Sequence, residues 1–298
     1  MSRHLALVGC TATGKSACAL AVARACGDAE VISLDSMQVY RGMDIGTAKP
    51  TGDERAAVPH HLVDVADPSE EWSVRATQRA ASAALADIET RGRRAIFVGG
   101  TGLYVRAVID ALDVPPRDLA IRGALEAETA NPAGLAQAFQ RLRTVDPLAA
   151  SRIEPDNQRR IVRALEVIEV TGEQFSSFGP GLEMYGPPAI DVALVGLELP
   201  APDLGERISQ RIAAMRAAGL EDEVRALSRQ PLSRTAEQAI GYKELLAATR
   251  GDTTVEDAFE LTERRTRQFA RRQRVWFARD PRIGWVDARK SGETLDAV

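Results

Sequence analysis

Eight residues near the start of the chain, Gly9-Cys10-Thr11-Ala12-Thr13-Gly14-Lys15-Ser16, have the spacing G-x-x-x-x-G-K-[ST] of a phosphate-binding loop. Each residue type has a chemical reason. The glycines let the backbone curl until successive amide N–H groups converge on a phosphate. Lys15 adds a point charge, and the Ser16 hydroxyl can hold a Mg²⁺ ion. The N-terminus of a following helix favours the same anion. A chance match in a glycine-containing turn is the bland alternative. The motif leaves a diphosphate and a triphosphate both open as ligand.

The second group that could do chemistry is Asp35, directly after the β-branched run Val31-Ile32-Ser33-Leu34. In a parallel sheet, ligands bind outside the carboxyl ends of the strands, so Asp35 and the phosphate loop should face one crevice. An aspartate at a strand end is as readily a turn former as a general base. Ser36, Met37 and Gln38 follow it, and the polar members can bond a base or a hydroxyl. A kinase or NTPase needs a further carboxylate to place Mg²⁺ and water. The next apolar run, Ala95-Ile96-Phe97-Val98, closes in Gly99-Gly100-Thr101-Gly102 instead, which disfavours that reading.

These groups need elements to position them. Leu5-Ala6-Leu7-Val8 reads as a strand before the loop, and residues 16–25, rich in alanine, read as a helix after it. Residues 31–34 and 95–98 read as two more strands, separated by a helix over residues 73–91, with Trp72 as a hydrophobic staple at its start. Alternating strands and helices imply a parallel α/β sheet. After Pro115-Pro116 only helical spacing remains until about Gly172; the strand pattern returns at Val192-Ala193-Leu194-Val195-Gly196-Leu197. Residues 117–188 are therefore a helical insertion in a core made of residues 1–116 and 189–298. Further on, Asp203 and Glu206 form a capping-box pattern. An apolar stripe of Ile208, Ile212 and Met215 runs toward Gly219, and Ile283-Gly284-Trp285-Val286 suggests a last strand.

Composition sets outer bounds. With 45% hydrophobic and 27% charged residues, the chain is an ordinary globule rather than a disordered one. No run approaches the ~18 apolar residues of a membrane span, and the start lacks a signal peptide's apolar stretch. Three cysteines, Cys10, Cys18 and Cys26, cannot all pair, which excludes a disulfide framework and fits a reducing cytoplasm. Cys18 and Cys26 read as small core residues of the first helix, and His60-His61 lacks metal-ligand spacing. The net charge of −4 does not announce a nucleic-acid binder, yet residues 261–282 hold eight arginines against Glu263 and Asp280. A local basic stripe on an acidic protein can still hold a polyanion. Two arginine arrays have helical spacing. Arg159, Arg160 and Arg163 lie opposite Ile161, Val162, Leu165 and Ile168; Arg264, Arg267, Arg271 and Arg274 lie opposite Phe259, Phe269, Trp276 and Phe277. The aromatic stripe reads as core and the arginines as phosphate contacts.

The segment Asp35-Ser36-Met37-Gln38-Val39-Tyr40-Arg41-Gly42-Met43-Asp44-Ile45-Gly46-Thr47-Ala48-Lys49-Pro50 resembles the one that marks tRNA dimethylallyltransferases, also called tRNA isopentenyltransferases. Further similar segments follow in order: His60-His61-Leu62-Val63-Asp64, Gly99-Gly100-Thr101-Gly102-Leu103-Tyr104, Arg159-Arg160-Ile161-Val162-Arg163-Ala164-Leu165-Glu166, Ala239-Ile240-Gly241-Tyr242-Lys243 and Thr266-Arg267-Gln268. Cys10 departs from the pattern, where the family usually has proline.

The resemblance implies a P-loop NTPase-like parallel sheet with a helical insertion domain that contacts tRNA. It implies transfer of a dimethylallyl group from dimethylallyl diphosphate to N6 of adenosine-37, just 3′ of the tRNA anticodon, with Mg²⁺ as cofactor. Asp35 would be the general base, Thr11 would lie near the allylic diphosphate held by residues 9–16, and Thr101 would touch the tRNA. The tRNA set would comprise Asp35, Ser36, Met37, Gln38, Thr101, Gln158, Arg159, Arg160, Arg163, Arg267, Arg271, Arg272, Gln273 and Arg274, on a monomer with no membrane partner. A prenyltransferase of free adenylates would share the loop and Asp35 but would have little need of residues 117–188. A non-catalytic RNA-binding module would not require Lys15 and Asp35 together.

Overall fold

The apolar runs become the strands of one parallel sheet. The computed structural model describes residues 2–178 and 184–290. The strands are β1 (His4–Val8), β2 (Ala29–Ser33), β3 (His60–His61), β4 (Arg94–Gly99), β5 (Val192–Glu198) and β6 (Gly284–Asp287). Their order across the sheet is β3-β2-β4-β1-β5-β6, with every pairing parallel. The two-residue β3 is too short to show as a run, so the sequence pattern misses it. β1 lies between β4 and β5, where the strand order reverses direction, and this is where open α/β sheets bind ligands.

Helices cover both faces, which is why the strands read as continuous apolar runs, and the short α2 (Gly52–Ala57) leads into β3. Alternate residues separate the two cores. Ala6, Val8, Ile32 and Phe97 pack with Ala81, Ile88, Val105 and Ile109 of α3 (Val74–Thr90) and α4 (Gly102–Ile109). Leu7, Val31, Ile96 and Val98 pack against Ala19, Leu20 and Ala23 of α1 (Lys15–Cys26). The core reading of the two cysteines of α1 holds in part: half-buried Cys18 packs at the edge of the core, whereas Cys26, at the helix end, is exposed. Ser73 caps α3. Trp72 meets the helix through a hydrogen bond from Nε1 to Thr77 Oγ1 at 2.7 Å, a polar counterpart of the expected staple.

Two compact units emerge, one of residues Met1–Ala111 with Pro187–Val298, the other Leu112–Gly186. The second begins before the proline pair, where 117 was expected, because Arg163 donates to the carbonyls of Pro115 and Pro116 at 2.8 and 2.9 Å. Its core joins Leu125, Leu142, Ile153, Ile161, Val162 and Leu165 from α5 (Leu119–Glu128), α6 (Pro132–Val145), α7 (Pro147–Arg152) and α8 (Gln158–Thr171), with Ile168 at the edge. The glycine- and proline-rich stretch before β5 lies partly outside the described residues.

At the opposite end of the sheet from the phosphate loop, Glu30 of β2 is fully buried. It is bonded by Arg91, Arg93 and His61, whose roles are therefore structural rather than metal-binding. Burial alone would raise this carboxyl, but the hydrogen bonds from Arg91, His61 and Arg93 hold it at about 2. A carboxylate depressed in the folded state stabilises fully above its unfolded value near 4.3, and loses that contribution as pH falls toward 2. Glu30→Gln should lower thermal stability at pH 7 by ~2 kcal/mol, since half-exposed guanidinium partners are screened, or roughly 4–8 °C. Melting curves from pH 7 to 3 check this: the gap between variant and wild type should narrow as pH falls.

Candidate active site

The loop after β1 keeps its shape through contacts of its own. A Cβ on Gly9 would lie 2.5 Å from the Leu197 carbonyl oxygen of β5, so no larger residue fits there. Thr13 is buried, and its hydroxyl donates to the Cys10 carbonyl at 2.9 Å; its side chain faces inward, not toward a ligand. Cys10 is buried as well, in the core beside β5. α1 starts at Lys15 with Gly14 in the cap position. It has neither a side-chain cap nor an acidic residue in its first turn, which leaves the positive end of the helix for an anion. Ser16 is exposed on that first turn and half-buried Lys15 donates to the Cys10 carbonyl at 2.7 Å. Burial pulls the Lys15 ammonium down to about 8; Arg211 pushes the same way, while Cys10 and Asp35 push back.

Asp35 follows β2 by two residues, because Leu34 N–H still pairs with the Val98 carbonyl of β4. Its Oδ1 accepts from the N–H groups of Met37 and Gln38 at 2.8 and 3.3 Å. The turn-forming reading is thus correct for one oxygen, and the second oxygen remains for other chemistry. Gln38, expected in the tRNA set, is held by the protein itself. It is buried, accepts from Ser33 Oγ at 2.8 Å and donates to the carbonyls of Thr47 and Ala48, pinning the loop behind Asp35. Met37 packs against the same core, and Ser36 is half-buried. Lys49 and Asp44 serve the loop too: Lys49 donates to the Tyr40 carbonyl, Asp44 and Asp64.

The helix after β5, α9 (Ala201–Ala217), supplies two cations that sequence reading missed. It starts without the expected capping box, since Pro200 occupies the cap position and Asp203 already lies in the first turn. Ile208, Ile212 and Met215 are buried as their spacing requires. Arg207 and Arg211 directly precede Ile208 and Ile212, and Arg207 Nη1 approaches the Thr13 carbonyl at 3.5 Å. Half-buried Arg211 is lowered by desolvation and raised by Asp35, which places it in the same field as Lys15 and Asp35. Positions four apart next to an apolar stripe were the available signal.

α10 (Leu220–Leu227), α11 (Arg234–Glu237) and α12 (Tyr242–Thr249) complete the core before the long α13 (Val255–Phe277). In α13, Phe259 and Phe277 are buried and Trp276 packs on Gly102, but Phe269 is half-buried under the Arg272 guanidinium. Arg271 and Arg274 are exposed, and Arg274 is close enough to Cys10 to be felt there. Arg267 is already engaged, donating to Glu263 and Ser209. Gln273, expected in the tRNA set, is buried. Thr101 is half-buried at the start of α4, and its hydroxyl makes no capping bond there.

In the helical unit, Arg159 and Arg160 are exposed at the start of α8. Two neighbours are not: Gln158 donates to Thr129, and Arg163 is half-buried on Glu166 and the proline carbonyls. These bonds hold the unit together.

Comparison with known proteins agrees with this geometry. A family model described as IPP transferase matches residues 38–280, and one described as isopentenyl transferase matches residues 2–61. The tRNA dimethylallyltransferase of Salinispora arenicola is 50% identical over 99% of this chain and 85% of its own length. The crystal structure of the full-length tRNA isopentenylpyrophosphate transferase of Bacillus halodurans superposes with a TM-score of 0.71 at 38% identity, covering 100% of this chain and 95% of that one. A eukaryotic dimethylallyltransferase captured acting on tRNA gives a TM-score of 0.78 at 28% identity, over 97% of this chain and 74% of that one. With the phosphate loop, Asp35 and the ordered segments all inside these matches, the chain belongs to the IPP transferase family, the tRNA dimethylallyltransferases.

Proposed function

We propose that the chain transfers the dimethylallyl group of dimethylallyl diphosphate to N6 of the adenosine just 3′ of a tRNA anticodon. The observation that carries the reading is that the phosphate loop after β1 and Asp35 after β2 leave the same carboxyl edge of one parallel sheet, with Asp35 acting electrostatically on both Lys15 and Arg211. Two cations suit a leaving diphosphate, and one carboxylate suits a departing proton. As the allylic C–O bond breaks, Lys15 and the start of α1 take up charge on the diphosphate. The N6 lone pair forms the new bond to carbon, and Asp35 accepts the proton that N6 releases. The adenosine must leave its stack to reach this edge. Thr11, on the loop after β1, would lie by the allylic diphosphate, and Thr101, on the turn after β4, by the tRNA.

Mg²⁺ fits this donor set. Among the described residues no three His, Cys, Asp or Glu side chains converge. A Mg²⁺ site of one hydroxyl, substrate phosphate oxygens and water needs no such cluster. Ser16 would hold the ion, which when bound supplies charge neutralisation to the diphosphate. The test is to incubate the protein with dimethylallyl diphosphate, Mg²⁺, unmodified tRNA and free adenosine monophosphate, and to analyse the digested tRNA and the free nucleotide separately by mass spectrometry. A prenylated adenosine is expected; unmodified tRNA, with a free adenylate prenylated instead, would reject the tRNA reading.

The exposed arginines Arg271 and Arg274 suit the phosphates of the anticodon stem-loop. Replacing either by Ala should weaken tRNA binding and reduce its log–log salt slope by roughly 0.7–0.9. The fold should change by no more than ~0.5 kcal/mol. Filter binding across a salt series checks this, and unchanged slopes would leave tRNA binding to Arg159 and Arg160.

A further inference from the structure

The Thr11 N–H and the Cys10 C=O belong to one peptide group, and both of its edges are held. Gln273 Oε1 accepts from the Thr11 N–H at 2.9 Å. On the other edge, Lys15 Nζ and Thr13 Oγ1 donate to the Cys10 carbonyl at 2.7 and 2.9 Å. The far end of the same carboxamide, Gln273 Nε2, donates to the Gly100 carbonyl at 2.7 Å. One side chain of α13 therefore spans the phosphate loop and the turn that carries Thr101.

The turn is built to admit that side chain. A Cβ on Gly100 would lie 2.6 Å from Gln273 Nε2, and one on Gly102 would lie 2.0 Å from the Trp276 ring. These glycines are required by the close approach of α13, whatever else the turn contacts. Gln273 is only 6% exposed. Packing alone would be served by Met or Leu, and a buried carboxamide is costly unless its polar ends are bonded. The residue type is thus specified by its two backbone partners.

We infer that Gln273 is a positioning residue for the transfer reaction, its carboxamide fixing the Cys10–Thr11 peptide and, through that carbonyl, the Lys15 ammonium relative to the Thr101 turn. Accepting from the N–H edge polarises the peptide and strengthens the carbonyl edge that holds Lys15. It also turns the Thr11 N–H toward Gln273 rather than toward a ligand. The inference rests on the reading of residues 9–16 as the diphosphate site.

If Gln273 acts through Lys15, its effect must depend on Lys15, which a double-mutant cycle tests. Inorganic diphosphate with Mg²⁺ is titrated by calorimetry into wild type, Gln273→Met, Lys15→Ala and the double variant; tRNA affinity is measured on the same proteins. Gln273→Met keeps the length and removes both bonds. It should weaken diphosphate binding about 10-fold in wild type and less than about 2-fold in the Lys15→Ala background, with tRNA affinity within about 2-fold. Equal losses in both backgrounds would overturn the inference in favour of a general packing role. A fall in tRNA affinity with diphosphate binding intact would overturn it in favour of an RNA contact. Should Gln273→Met not fold, Gln273→Leu, which also removes both bonds, goes through the same cycle with the same criteria. Wild-type protein that binds no diphosphate would instead overturn the phosphate-loop reading beneath the inference.

Discussion

Asp35→Asn should lower the single-turnover rate of transfer by 10²–10⁴-fold while tRNA affinity stays within about threefold. The structure makes this substitution unusually clean. Oδ1 of Asp35 already forms the turn, accepting from Met37 and Gln38 N–H, and an asparagine carbonyl can accept the same two bonds. Gln38 continues to hold the loop from behind. What disappears is the second oxygen, the one free to take the N6 proton, together with a negative charge felt by Lys15 and Arg211. A rate within about threefold of wild type, measured at saturating substrates, would reject Asp35 as the base. Losing that charge has a second consequence. Asp35 raises the Lys15 ammonium, so in Asp35→Asn the pH at which diphosphate use declines should move down, not up.

The parts of this site that could be read in the chain are local ones. The phosphate loop is eight consecutive residues between a strand and a helix, and Asp35 lies at the end of a second strand. Parallel pairing then brings both to one edge without further information. Gln273, Arg211 and Glu223 are a different matter. Glu223 of α10 accepts from the N–H groups of Asp44, Ile45 and Gly46 and from the Tyr242 hydroxyl, so the loop behind Asp35 is anchored by residues nearly two hundred positions away. No spacing rule links such partners; only the packing of α9, α10 and α13 does.

Periodicity also has a limit that α8 and α13 illustrate. A helical wheel separates apolar from polar positions, and Ile161, Val162 and Leu165 are buried as it requires. It does not say what stands opposite the polar ones. Arg163 and Arg159 look alike on the wheel, yet Arg163 meets two proline carbonyls and Arg159 meets solvent. Gln273 sits among arginines in the sequence, but it is the residue that faces the sheet. Long polar side chains reach backbone acceptors that the sequence pattern does not display.

Lys15→Ala should cut kcat/KM for dimethylallyl diphosphate by about 10²–10³-fold, the scale of losing one preorganised group aimed at developing charge. tRNA affinity should change little, because the exposed arginines of α13 and α8 are untouched. The pH dependence distinguishes the charge from the shape of the side chain. In the free protein burial holds the Lys15 ammonium at about 8. Its cation is therefore present below that pH and lost above it, and kcat/KM should decline along an alkaline limb near pH 8. A bound diphosphate favours the charged form, so kcat at saturation should persist to higher pH than kcat/KM. Lys15→Arg carries a charge that does not titrate in this range, and it should remove the limb while retaining part of the activity. An alkaline limb unchanged in Lys15→Arg would assign the titration to another group, with Cys10 the nearest candidate because it lies against the same peptide. The thiol is itself pushed up by burial, so a Cys10→Ala profile separates the two.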